Sequence, residues 1–239
     1  MRGIDEVRRG SERLRVGPWR GDARIAIVAP VGGGPPTPGV IRQACEVLAA
    51  RGYREVLTGA LALPEQQGFL AEGFTLRDEL HLLAHDLIAI PRPPDGVPLR
   101  RARRRDRCRA LEVDGRAFPG FWRLDERGLD EAVGATPTAR FRIAEVGGAV
   151  AGYAVTGRAG SRGYLQRLAV LPEAQGRGLG RALVIDALRW LARRRASQAV
   201  VNTQVGNQRA LALYQDLGFR LQPTGLAVLG RPLVREPAS

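Results

Sequence analysis

The sequence contains no lysine: all 37 of its basic side chains are arginines, against 24 acidic residues, which leaves a formal net charge of +13. Without lysine there is no Gly-Lys-Ser/Thr phosphate loop, so nucleoside-triphosphate chemistry of that type is excluded. Cysteine is nearly as scarce. Cys45 and Cys108 are too few for a disulfide framework and lack the paired spacing of a zinc site. No run of eighteen apolar residues occurs, and Met1 to Glu6 holds no apolar signal core, so the expectation is a soluble, cytoplasmic protein with no membrane partner. Aromatics make up only 5% of the chain, and the basic run Leu99 to Arg109 has almost none interleaved to stack bases. Nucleic acid is therefore not the expected partner, and the run reads as a solvated face.

What is present is a strand, a glycine turn and a helix in succession. In Tyr164-Leu-Gln-Arg-Leu-Ala-Val-Leu-Pro172, alternation of Leu165, Arg167 and Ala169 with Gln166, Leu168 and Val170 predicts an extended segment, which Pro172 ends. Gln175-Gly-Arg-Gly-Leu-Gly180 follows. Gly176, Gly178 and Gly180 leave backbone N–H groups uncovered, and the helix beginning there adds unpaired amides and the positive end of its dipole, a seat for a pyrophosphate. A dinucleotide is disfavoured, because the next strand, Ala199 to Val205, carries no acid at its end to hold a ribose.

The turn resembles the acyl-CoA-binding motif Gln/Arg-x-x-Gly-x-Gly/Ala of the GNAT superfamily of N-acyltransferases, matched by Gln175, Gly178 and Gly180. A second block, Val200 to Asn207 and Ala210-Leu-Ala-Leu-Tyr214-Gln-Asp-Leu-Gly218-Phe219, resembles the following strand and helix of that family. Leu211, Tyr214 and Leu217 also form the buried stripe of an amphipathic helix closed by Gly218. The resemblance implies an α/β fold with a mixed, mostly antiparallel central sheet flanked by helices. It implies acetyl-CoA as co-substrate and no metal. By the same resemblance Leu168, Ala169 and Val170 meet the thioester and pantetheine arm. Gln175, Gly176, Arg177, Gly178, Leu179, Gly180 and Arg181 hold the pyrophosphate, Asn207 contacts the arm from the other side, and Tyr214 protonates the leaving thiolate. Phe118, Phe121, Trp122 and Gln166 are expected in the acceptor pocket. One departure stands out. Gln166 occupies the position at which many members carry a glutamate base, and an amide takes no proton at neutral pH. Either Glu112, Asp114 or Asp130 serves instead, or the amine arrives neutral.

The organisation expected is a division at residues 1–95 and 96–239. Ile90 to Pro98 holds four prolines in nine residues and is the linker candidate. Beyond it, Leu99 to Ala102 reads as a strand, Asp106 as a helix N-cap, Cys108 to Phe118 and Asp125 to Val133 as helices, and Gly147-Gly148 as a hairpin turn between Arg140 to Val146 and Ala149 to Thr156. Ser161 is a turn residue without a nucleophile elbow. Before the linker, Arg24-Ile-Ala-Ile-Val aligns with Arg167-Leu-Ala-Val-Leu at an offset of 143, with Gly33 on Gly176 and, after a two-residue shift, Phe69 on Tyr214. This predicts a partial, degenerate copy of the same fold. Its turn carries Pro35, Pro36 and Pro38, and Phe69 has no proton to give. His81 and His85 fall on the last predicted strand of that copy, too far apart for one ion.

The expected activity is acetyl transfer from acetyl-CoA to a primary amine, on a small molecule or a protein N-terminus, by direct attack in a ternary complex. The alternative is a non-catalytic acyl-CoA-binding module. A monomer or a homodimer suits either.

Overall fold

The computed structural model describes residues 5–32 and 34–233. Gly33, aligned above with Gly176, lies outside them. The chain divides into two compact units, Met1–His81 with Gln204–Gly206 and Pro223–Ser239, and Leu82–Thr203 with Asn207–Gln222. This is not the linear division at 95/96. The reason is a strand near the end of the sequence that hydrogen-bonds into the first unit.

The first unit contains β1 (Asp5–Arg9), β2 (Glu12–Pro18), β3 (Ile25–Pro30), α1 (Pro38–Ala50), β4 (Glu55–Thr58), α2 (Leu63–Ala71) and the first part of β5 (Thr75–His85). The late strand, numbered β12 in chain order (Leu226–Pro232), lies between β4 and β5, giving the order β1-β2-β3-β4-β12-β5. β3 and β4 are parallel and joined by α1, which buries Val40, Ile41, Ala44, Cys45 and Leu48 at helical spacing. Phe69 is fully buried on α2, edge-on to Phe74 at 5.1 Å between ring centroids. Burial pushes the Cys45 thiol up to about 11.

The second unit contains β6 (Leu99–Arg101), α3 (Arg107–Ala117), α4 (Glu126–Gly134), β7 (Thr138–Val146), β8 (Ala149–Ala159), β9 (Arg162–Val170), α5 (Leu179–Arg193), β10 (Gln198–Gln204), α6 (Gln208–Asp216) and the short β11 (Arg220–Leu221). Its sheet runs β6-β7-β8-β9-β10, antiparallel except for β9 and β10, while β11 pairs with the end of β5. This is the mixed, mostly antiparallel architecture expected. One face packs on α5, through Leu183, Val184, Leu188 and Leu191, and the other on α3 and α4, through Ala110, Val113 and Leu129. Asp125 caps α4 by accepting the Gly128 amide at 2.7 Å, and Gly147 and Gly148, both at positive φ, turn the β7–β8 hairpin.

The strict alternation expected along β9 does not hold. Opposite β8 the register slips between Val155–Arg167 and Thr156–Leu165, so Gln166 is the extra residue of a β-bulge. The inserted residue moves every later side chain to the other face. Leu165, Leu168 and Val170 therefore share the α5 side, whereas Ala169 joins the core beneath α3, and the adjacent Gln166 and Arg167 reach Thr136 and Asp114 on that same side.

Candidate active site

β9 and β10 pair only at Gln198–Arg162, Ala199–Gly163 and Val200–Tyr164 among the described residues, although both strands continue further. Past these pairs one edge of β9 has no strand beside it. A cleft of about 350 Å³ opens there, lined by Leu168, Ala169 and Val170, by the turn and first residues of α5, and by Asn207, Arg209, Ala210 and Leu213 at the start of α6. Ala117 and Phe118, at the end of α3, close its far side.

The turn is shaped by its glycines. Gly176 and Gly178 sit at φ of 77° and 81°, and Gly178 is the N-cap of α5, so no side chain caps the helix and no acidic residue lies in its first turn. The first amides of α5 therefore face the cleft with no side chain capping them. Gln175 ties the turn to the strand, its Nε2 donating to the Val170 carbonyl at 3.2 Å, and its Oε1 accepts from Arg209. Arg181 and Arg209 are the charged residues of the lining, which holds no carboxylate among the described residues. Donors without acids, at a helix N-terminus, suit a multiply charged anion.

The corresponding turn of the first unit is built in the opposite way. Glu12, on β2, accepts hydrogen bonds from the Thr37 amide at 2.6 Å and the Thr37 hydroxyl at 2.7 Å, placing a carboxylate at the start of α1. These bonds hold the Glu12 carboxyl below its ordinary range.

Several residues singled out in the sequence lie elsewhere. Arg177 and Phe121 are exposed and Trp122 and Gln166 half-buried, and all four lie outside the cleft lining. Tyr214 is 4% exposed, packed against Phe219 at 5.5 Å between ring centroids, and it too lies outside the lining, although its neighbour Leu213 is part of it. Burial raises its phenol above the ordinary range, partly opposed by the charge of Arg167. Asn207 caps α6 through its side-chain oxygen, which accepts from the Ala210 amide at 3.1 Å.

Residues 105–219 match the model of the acetyltransferase (GNAT) family. The chain belongs to the GNAT superfamily. Among curated relatives, the mycothiol acetyltransferase of Acidothermus cellulolyticus is 33% identical over 201 residues, 73% of this chain and 61% of that protein. That of Amycolatopsis mediterranei is 32% identical, over 76% of this chain and 66% of its own. The chain thus spans about two thirds or less of the curated relatives it matches. Among solved structures, a tandem GNAT protein from the clavulanic acid biosynthesis pathway aligns over 99% of this chain and 85% of its own, with a TM-score of 0.72 and 19% identity. A GCN5-related N-acetyltransferase from Sphaerobacter thermophilus aligns over 93% and 77%, with a TM-score of 0.65 and 15% identity. Both share the fold.

Within this GNAT domain, the three carboxylates considered above as bases are committed elsewhere. Glu112 pairs with Arg109 at 2.7 Å and Asp130 with Arg107, both on exposed helix faces. Asp114 is fully buried and saturated. It accepts from Arg167 Nε at 2.7 Å and Nη2 at 2.8 Å, from the Tyr153 hydroxyl at 2.6 Å and from the Leu124 amide at 2.7 Å. Burial and the Asp114 charge push the Tyr153 phenol well above its usual range. Arg167 Nη2 also donates to the Trp122 carbonyl at 2.7 Å, and its guanidinium lies 3.6 Å from the Phe118 ring centroid. Asp114 and Arg167 therefore fasten the Phe118-to-Leu124 segment to the sheet. Sequence reasoning missed this role, and also Tyr153, Arg167 and Arg209; the signal for Arg209 was its place two residues after Asn207, in the first turn of α6.

Proposed function

We propose that the chain is an acetyl-CoA-dependent N-acetyltransferase acting by direct attack of an amine in a ternary complex. The observation that carries this reading is the uncapped N-terminus of α5, with its two left-handed glycines, opening onto an acid-free cleft beside the free edge of β9. Bound there, acetyl-CoA supplies an activated thioester carbonyl. The turn amides from Gln175 to Gly180 take the pyrophosphate charge, with Arg181 and Arg209 adding to the field. Leu168, Ala169 and Val170 line the path of the arm from one side and Asn207 from the other. Tyr214, on the helix that forms the cleft wall, gives a proton to the departing sulfur. Phe118, Phe121 and Trp122 border the acceptor. The acceptor is a primary amine on a small molecule or protein N-terminus, and similarity to mycothiol acetyltransferases favours the small molecule. The first unit is a degenerate copy of the fold, closed to pyrophosphate by Glu12 and by Pro35, Pro36 and Pro38.

Coenzyme A release is the test, measured with acetyl-CoA over a panel of amino acids, peptide N-termini, aminoglycosides and polyamines, with Tyr214→Phe in parallel. Turnover falling about 100-fold or more in the variant, with acetyl-CoA affinity unchanged, is expected. Tight acetyl-CoA binding without turnover on any amine would make the chain a non-catalytic acyl-CoA-binding module.

A further inference from the structure

An amine attacks a thioester only as the free base, so an acetyltransferase must either deprotonate its acceptor or receive it neutral. The groups facing the acceptor side leave little choice. Asp114, from α3, has its oxygens filled by four donors; Tyr153, from β8, has a phenol raised in pKa and donating to that carboxylate. β9 contributes Arg167 and Gln166, α6 contributes Tyr214, and Arg181 and Arg209 line the cleft. Asp186 is on the opposite face of the sheet, paired with Arg140 and Arg142. His85, behind Phe219, has Nδ1 occupied by the Leu87 amide at 2.8 Å, and burial lowers its pKa.

Gln166 itself is oriented by its neighbours. The Thr136 hydroxyl donates to the Thr138 carbonyl at 3.0 Å, so it meets the Gln166 Nε2 as an acceptor, at 3.5 Å. The amide oxygen is the end left over, buried with no partner among the described residues. The amide also packs closely on β8, where a Cβ on Gly157 would come within 2.7 Å of Nε2. Such an oxygen accepts an N–H but does not remove its proton.

Resting on the transferase reading above, we propose that this site has no general base among the described residues: the acceptor enters as a neutral amine, and the natural acceptor is an amine of α-amine acidity rather than an alkyl amine. The carbon–nitrogen bond forms as the carbon–sulfur bond breaks. After attack the nitrogen releases one proton to solvent water, Tyr214 gives its phenol proton to the sulfur and is reprotonated from solvent, so the step balances without another reagent. The arginines of the cleft favour the same class, because they repel an ammonium ion and not its free base.

At pH 7 about 14% of an α-amine is neutral against about 0.04% of a lysine-type amine. The ratio is about 350, of which the greater nucleophilicity of the free alkyl amine takes back a part. The test measures kcat/KM from about pH 6 to about pH 10, a range that brackets both amine pKa values, for an amino-acid amide and for Nα-acetyl-lysine. In the parent enzyme each profile is expected to break at its own acceptor's pKa, with the α-amine ahead by about 100-fold at pH 7. Gln166→Glu should add a break common to both acceptors and raise the Nα-acetyl-lysine rate at neutral pH, with acetyl-CoA affinity unchanged. A common break in the parent enzyme would overturn the base-free step and leave the transferase standing. No turnover with these two amines or with any other amine of the panel above, acetyl-CoA still binding, would overturn the transferase reading itself.

Discussion

Replacing Asp114 by alanine removes one half of an ion pair whose side chains are 0% and 10% exposed. Three consequences add. Arg167 keeps a guanidinium in a site without a counter-charge, which for a broken buried pair costs about 3–5 kcal/mol. The Tyr153 hydroxyl loses its 2.6 Å acceptor deep in the core, and the Leu124 amide loses one at 2.7 Å, each worth about 1 kcal/mol or more. Partial rescue by water leaves an expected loss of about 4–6 kcal/mol, a large share of the 5–15 kcal/mol typical of a domain. Urea unfolding followed by tryptophan fluorescence reads it, because Trp122 lies in the segment that the pair fastens. The paired change Asp114→Leu with Arg167→Met removes both charges at once, and it is expected to recover more than half of the loss. A single-variant loss below about 1 kcal/mol, outside the range for broken buried pairs, would refute the assignment of Asp114 as the anchor of the acceptor side and reopen it as a base.

Gly178→Ala places a Cβ 3.4 Å from Pro94, an ordinary contact, so the cost comes from φ at 81°; acetyl-CoA affinity measured by calorimetry should fall by about tenfold, from roughly 1–2 kcal/mol of left-handed strain. Glu12→Gln weakens the charged bonds to Thr37. Because the folded-state pKa of Glu12 is depressed, its contribution is complete above the unfolded carboxyl value near 4.3 and is lost as pH falls through the folded value. The variant should be less stable by about 0.5–1 kcal/mol at pH 7 and indistinguishable from the parent in strong acid, as read by thermal unfolding at both pH values.

The parts of the fold legible in the sequence were those written in local chemistry. The Gly147-Gly148 turn and the Gly178 entry into α5 depend on residues within a few positions of each other. The bulge at Gln166 was not legible, since its pattern of residues fits a regular strand equally well and only the register opposite β8 reveals the extra one. The partnership of Asp114 with Arg167 spans 53 residues, and before the chain is folded each is one charged side chain among many. The motif that brought Leu168 to Val170, the glycine turn and Asn207 to notice also pointed to Tyr214. Its burial beside Phe219 follows from tertiary packing that the helical stripe alone leaves open.

The position of β12 bears on how the chain is made. Leu229, on that strand, donates its amide to the Thr58 hydroxyl 171 residues earlier, across a sheet whose β4 and β5 flank the same strand. At about 5–20 residues per second, on the order of ten to thirty seconds of synthesis separate the emergence of β4 from that of the strand that pairs with it. During that interval the first unit holds two unsatisfied strand edges while residues 99–193, which build most of the cleft-bearing unit, are translated. The half that carries no chemistry in this reading is thus the half whose folding waits longest on the ribosome, and an N-terminal fragment cut at residue 95 would keep both edges bare.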